Sequence, residues 1–446
     1  MEARSPDLHP FNQHPHRTLV TLTIPVLLSL VVEPLTGIVD TAFVARLGPA
    51  PLAGLGVGAA LLSSLFWIFN FLGIGTQTEV ATGLGRSAPK HARDAASLAL
   101  LLSAGIGVLL ALLLWPFVGE LAALMSDDAP VQKAAATYFE IRLLGAPAVL
   151  LTLASFGALR GLQDMRTPLW VAATANGINA LLDPVLIFGM GPLPALGVAG
   201  AAWATIVGQW IAALWAVVAV INRLGLSGHI PWRNAPALLV VGRDLIFRTA
   251  LLTLFLLMAT RVANQLGAEA GAAHQVLRQI WLFSAFLLDA YAATAQSLIA
   301  YFLAAARVDL ARKVASVSCI WGGGSSVVLG VALGLGTSAV SALLVPPASH
   351  ELFIESWWIL LASQPLFALS FVTDGIHWGT RDYRYLRNGM LASTATGLTL
   401  LWALVGLGSE SLTAVWLVTS VWVCVRAAFG MLRIWPGLGN APLKRR

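Results

Sequence analysis

The sequence predicts an all-α integral membrane protein of about twelve transmembrane helices, arranged as two six-helix parallel repeats that form two lobes. Three observations predict it. Of 446 residues, 58% are hydrophobic and 11% charged, whereas soluble domains carry about 25% charge; the mean hydropathy is +0.80. Apolar runs of the roughly 20 residues needed to cross a bilayer recur from end to end. An internal similarity then relates one half of the chain to the other.

The runs are read as helices because a helix satisfies its own backbone in lipid. The first six cover 18–45, 53–84, 94–118, 131–160, 167–190 and 196–222, and the second six cover 243–266, 270–304, 311–334, 350–379, 386–406 and 410–433. Cations fix their direction. Arg4 and Arg17 precede the first span; Arg86, Lys90 and Arg93 follow the second; Arg160 and Arg166 bracket the gap after the fourth. Arg223, Arg233 and Arg243 follow the sixth, Arg307, Arg312 and Lys313 the eighth, and Arg381, Arg384 and Arg387 the tenth. Arg433, Lys444, Arg445 and Arg446 follow the last. The opposite loops hold Arg46 and Lys133 beside Asp127, Asp128, Glu269 and Glu410. The positive-inside rule places both termini in the cytoplasm, and the cell inner (plasma) membrane is the expected location. The net charge of +6 is therefore a topology signal, and nucleic-acid binding is not expected.

The predicted organisation is a cytoplasmic N-terminal tail (1–17), a lobe (18–222), a cytoplasmic linker (223–242), a second lobe (243–435) and a basic cytoplasmic tail (436–446). The apolar run after the polar tail is too long for a signal-peptide core, so it is expected to be a retained span. Cys319 and Cys424 lie in apolar segments and are expected to be free thiols. His9, His14 and His16 are metal-ligand types, yet in a mobile tail a solvated role is the better expectation.

"ARLGPAPLAGLGVG" after the first span resembles "NQLGAEAGAAHQVL" after the seventh, Gly48 aligning with Gly267 at an offset of 219. The same offset carries Gln77 onto Gln296. "RGLQDMR" (160–166) resembles "WGTRDYR" (378–384), with Gly161 on Gly379 and Asp164 on Asp382 at an offset of 218. Six spans is an even number, so the two halves share one orientation, a transporter architecture.

An acid at a helix centre costs about 2.5–3.5 kcal/mol on insertion scales, so each needs a reason. Glu33, Thr36 and Asp40 are spaced i, i+3 and i+7 on the first span; Asn176, Asn179 and Asp183 repeat that spacing on the fifth. Each trio shares one helix face. Acids facing each other beside amides can hold a proton or a small cation. Asn176 and Asn179 alone would serve equally well as hydrogen bonds joining helices. Pro34 and Pro184, each beside an acid, are positions where a helix can bend, although a proline kink is also purely structural.

The second half lacks this pattern. The counterpart of Asp40 is Ala259, and the seventh span carries Arg261, Asn264 and Gln265. The eighth carries Gln275, Arg278, Asp289 and Gln296; the tenth carries Ser370, Asp374 and His377. Arg261 or Arg278 paired with Asp289 or Asp374 would make a structural lock. These polar residues, with Thr36 and Gln77, are expected to line a substrate cavity or join helices. "WGGGSS" (321–326) lacks the lysine of a phosphate loop and is expected to pack helices closely. Asp164 with Arg166, and Asp382 with Arg384, are expected to form loop ion pairs.

With "VDTAFVARLG", "NALLDP", "GVAGAAWAT" and the repeated halves, the chain resembles the multidrug and toxic compound extrusion (MATE) transporters across 18–435; "FLLDAYAATAQ" is similar to their DinF branch. The resemblance implies a pair of six-helix lobes exporting drug-like organic molecules against inward proton or sodium flow. It also implies a first-lobe cation site in which Asp40 is the first-helix acid. Asn179 and Asp183 would be the fifth-helix amide and acid, and Thr205 the sixth-helix hydroxyl. Glu33 and Asn176 extend that set. Three departures stand out: Glu33 occupies a position where relatives often have an amide, Gln296 one where the DinF branch often has glutamate, and the seventh helix has no glutamate of the kind seen in the NorM and eukaryotic branches.

Two rival readings exist. A flippase of lipid-linked or other amphiphilic metabolites would use more cavity cations, for which Arg261 and Arg278 are candidates. An intramembrane enzyme would need paired aspartate-rich motifs or HExxH, and neither is present. The expected protein is a monomer with no cofactor beyond its coupling ion, H+ or Na+. Its expected partners are small drug-like substrates and membrane lipids.

Overall fold

The computed structural model describes residues 6–190, 193–229 and 231–444, without the side chains at 6, 33, 234 and 237. Among these residues eleven helices are long and apolar enough to span a membrane, or twelve when a bent pair counts as one span. We label the spans α1 (Pro15–Leu47), α2 (Pro49–Gly85), α3 (Pro89–Met125), α4 (Ala129–Leu143 with Ala146–Gly161), α5 (Arg166–Phe188) and α6 (Val198–Leu224). The second set is α7 (Leu238–Gln265), α8 (Ala268–Ala304), α9 (Val308–Leu335), α10 (Pro347–Gly379), α11 (Tyr383–Gly406) and α12 (Leu412–Ile434). Large apolar side chains such as Leu112, Leu335 and Trp402 lie on exposed faces, the surface a bilayer covers.

The chain divides into two compact units: Ile24–Gly242, and Arg243–Arg446 with the described part of Arg4–Thr23. The division falls inside α1, beside Pro25. In the first unit α4 packs against α2, α3, α5 and α6; in the second, α10 packs against α8, α9, α11 and α12. α4 is broken by 53° between Leu143 and Ala146, where Gly145 and Pro147 interrupt the helical ladder.

The repeat is written in the backbone. A side chain on Gly157 would place its Cβ 2.3 Å from the Gly73 carbonyl oxygen, and one on Gly161 would lie 2.7 Å from the Gln77 oxygen. In the second unit the distances are 2.2 Å from Gly375 to the Ala292 oxygen and 2.7 Å from Gly379 to the Gln296 oxygen. The same crossing, α2 with α4 and α8 with α10, is thus built twice. The turns match as well. Ser87 and Ala306 take φ of 53° and 58°, Gln163 and Arg381 take 62° and 61°, and Gly48 and Gly267 take 116° and 113°. The loop acids end differently from expectation: Asp164 pairs with Arg223 (2.9 Å) and Asp382 with Arg433 (2.6 Å), not with Arg166 or Arg384. Each joins a loop to the last helix of its own unit.

These crossings predict a mutational contrast. Gly375→Ala forces a methyl into backbone and is expected to cost about 1–3 kcal/mol or more, lowering the melting temperature in detergent. Gly324→Ala meets nothing within 4 Å and should instead gain up to ~1 kcal/mol of helix propensity. Equal melting temperatures for the two variants would show that the crossing is loose. In "WGGGSS" close packing holds for Gly322, whose Cβ would lie 2.7 Å from Val372, but Gly323 and Gly324 face open space.

At His9 and Phe11 the N-terminal segment is docked rather than solvated, whereas His14 and His16 are exposed as expected. Phe11 is fully buried and His9 is 6% exposed. The His9 ring packs 5.2 Å from Tyr301 and 5.0 Å from Phe302, and its Nδ1 accepts from the Phe11 N–H at 3.1 Å. His16 Nδ1 accepts from Trp321 Nε1 at 3.0 Å. Burying the Phe11 ring outweighs the freedom of a short polar tail. The inter-lobe linker is held too: Ser227 N–H donates to Ser97 (2.9 Å) and Ser227 Oγ to Asp94 (2.6 Å).

Candidate functional site

Asp40 lies on the last full turn of α1, ahead of Gly48, whose positive φ ends the span. Asn179 and Asp183 are one turn apart on α5, so both face the same side. Glycines bring α6 against them. A Cβ on Gly200 would fall 2.4 Å from the Leu186 oxygen, and one on Gly208 would fall 2.7 Å from the Ala175 oxygen and 3.7 Å from Asn179 Cβ. Thr205, between those glycines in sequence, is thereby carried to Asn179.

The result is a compact polar cluster at membrane depth. Asp40 is 5% exposed, Asn179 2% and Asp183 fully buried. With its amide nitrogen toward Asp40, Asn179 donates to Asp40 Oδ1 at 3.0 Å, while its oxygen lies 3.3 Å from both the Thr205 hydroxyl and N–H. The Thr205 hydroxyl also lies 2.8 Å from the Ala201 oxygen of its own helix, to which it donates. Asn179 therefore ties Asp40 of α1 to Thr205 of α6.

Asp183 sharpens the point. Its carboxyl is within hydrogen-bonding reach of Asp40, yet among the described residues neither of its buried oxygens receives a donor. Two carboxylates in contact away from water cannot both stay charged without a compensating positive charge.

The other expected residues fall differently. Asn176 is half-buried one turn from Asn179, and the Thr36 hydroxyl donates to the Val32 oxygen of its own helix at 3.2 Å. Glu33 has its side chain outside the described residues. Gln77 and Gln296 are buried at the repeated glycine crossings. Arg261, Asn264 and Gln275 are exposed, and Arg278 and Asp289 are half-buried.

The lock in the second unit uses other partners than Arg261 or Arg278. Asp374 Oδ2 accepts from Arg248 and from Arg426, the latter at 3.0 Å. Arg426 also lies over the rings of Trp422 (4.7 Å) and Phe371 (5.2 Å), and Asp289 acts on it through its charge. Ala259 is buried where the repeat would place an acid.

Sequence reasoning missed two residues of α4. Tyr138 is 4% exposed and its phenol reaches Thr205. Arg142, one turn on, sits 5.9 Å from the Tyr138 ring centroid and acts electrostatically on Asp40. The signal was available: an arginine within an apolar span, one turn from a tyrosine, is rare enough to flag.

Two duplicated helical units, the first holding a contacting pair of buried acids at membrane depth, define a multi-pass membrane transporter. The family model described as MatE matches residues 25–185. The chain is 31% identical to Protein DETOXIFICATION 44, chloroplastic, of Arabidopsis thaliana, over 96% of this chain and 84% of that protein. It is 30% identical to DNA damage-inducible protein F of Escherichia coli (strain K12), over 94% and 92% respectively. The fold matches a crystal structure of MATE in the bent conformation with a TM-score of 0.87 at 21% identity, covering 94% of each chain. The chain belongs to the MATE family of multidrug and toxic compound extrusion transporters and is not an enzyme.

Proposed function

We propose that the protein is a secondary antiporter of the cell inner (plasma) membrane, acting as a monomer. It exports organic cations or amphiphiles in exchange for H+ or Na+. The observation that carries this reading is the Asp40–Asp183 pair, buried in contact with no protein donor to Asp183. A carboxyl pair of this kind holds one cation in one state and releases it in another. Asn179 and Thr205 complete its hydrogen bonding. For sodium the same oxygens are hard ligands; for a proton they are the acceptor set. Release leaves an uncompensated charge between helices, which drives α1 to move against α5 and α6. Pro25 and Pro34 make α1 the helix best able to bend.

The test is dye efflux from vesicles under imposed proton or sodium gradients, with an uncoupler added in parallel. Efflux that neither gradient drives and no uncoupler affects would remove the antiport reading.

The membrane orientation is checked separately. In a background without native cysteines, Ala129→Cys, at the start of α4, is expected to react with an impermeant thiol reagent from outside. Gly228→Cys, in the linker, should react after permeabilisation. External reaction of both would overturn the sidedness derived from the cations.

A further inference from the structure

Arg142 occupies the last turn of the first segment of α4, immediately ahead of the 53° break. A helix that ends inside the membrane exposes carbonyls with a partial negative charge there, which favours a cation. That explains how a guanidinium is tolerated at this depth. It does not explain why its Nε and Nη1 are buried without an acceptor, since each orphaned donor costs about 1–3 kcal/mol. Among the described residues its charge is not used up in an ion pair. It lies 5.9 Å from the Tyr138 ring centroid, and its charge acts on Asp40.

Resting on the antiport reading above, we propose that Arg142 is the resident counter-charge of the Asp40–Asp183 pair and fixes the coupling at one monovalent cation per cycle. The charge count is direct. Two carboxyls with one cation between them carry a single negative charge, and Arg142 cancels it. The loaded site is then neutral, the condition a buried site needs. Without Arg142 the loaded site keeps a negative charge, and a second cation must enter with the first. No other described charge answers for it. Thr205 and Gln209 of α6 are neutral, Tyr138 is a phenol, and Lys133 and Glu140 on the same helix as Arg142 are exposed. Arg142 is thus a positioning and stoichiometry-setting residue that need not touch the substrate.

The experiment measures cations exchanged per substrate in proteoliposomes, using ethidium as the probe and finding the ion gradient that just balances an imposed dye gradient. Wild type and Arg142→Lys are expected to exchange one cation per dye molecule, and Arg142→Gln two. A wild-type value of two, or an active Arg142→Gln still at one, overturns the proposal. The wild-type value is read whether or not Arg142→Gln folds. Asp40→Asn is run alongside: coupled efflux that survives in it rejects the antiport site itself, a different failure from a wrong stoichiometry.

Discussion

Asp40→Asn is expected to abolish gradient-driven efflux while leaving a folded protein. The amide is nearly isosteric with the acid, and Asn179 can present its oxygen to it as it would to a protonated carboxyl, so the hydrogen-bond chain to Thr205 survives. What is lost is the exchangeable charge. A loss of at least about tenfold in coupled rate corresponds to ~1.4 kcal/mol of coupling, and complete loss is the expected outcome. Asp183→Asn should behave alike, because either substitution leaves one carboxyl where a pair was needed. Glu33→Gln should be milder, because relatives often carry an amide at that position. Efflux from vesicles and dye binding in detergent are measured together. Normal binding with no gradient response is the expected pattern. Wild-type coupled efflux from a well-folded Asp40→Asn protein would make this acid structural.

Asp374→Asn is expected to do the reverse: lower stability strongly and spare ion dependence. Arg248 and Arg426 both close on one oxygen of Asp374, and Arg426 is 5% exposed. Removing one member of a buried ionic group costs about 3–5 kcal/mol, because the partners keep their desolvation penalty and lose their compensation. Here two guanidinia would be left facing each other. The melting temperature in detergent should fall well below wild type, and adding Arg426→Met to Asp374→Asn should restore part of it by removing one stranded charge. A stable Asp374→Asn protein with changed ion dependence would place coupling chemistry in the second unit.

The two acid stripes were legible because carboxylates in apolar spans are rare and helical spacing says which of them share a face. Asp40, Asn179 and Asp183 follow from that alone. Thr205 does not: a single hydroxyl in a helix carries no signal, and its place came from family resemblance. Its structural reason is Gly200 and Gly208, which bring α6 against α5. Partners were harder than positions. Asp374 was recognisable as a buried acid, but sequence periodicity does not say which helices meet. Arg248 and Arg426 therefore went unassigned while Arg261, which is exposed, was paired with it. Arg142 is hard to read for a related reason: in sequence a cation inside a span looks like the topology-setting cations of the loops. His9 failed through composition. A polar stretch reads as solvated, and the buried Phe11 that docks it against Phe302 is a lone aromatic with no periodicity.

Where Gly157 meets Gly73 and Gly375 meets Ala292, backbone touches backbone with no side chain between. Neither helix of such a pair can slide or roll without collision. Each unit therefore carries an internal ruler: the distance between spin labels on α8 and α10, or on α2 and α4, should hold constant through the transport cycle. Labels spanning Pro25 and Pro34 along α1 should not. A cycle that changes the second distance and preserves the first would locate the moving part in a single helix.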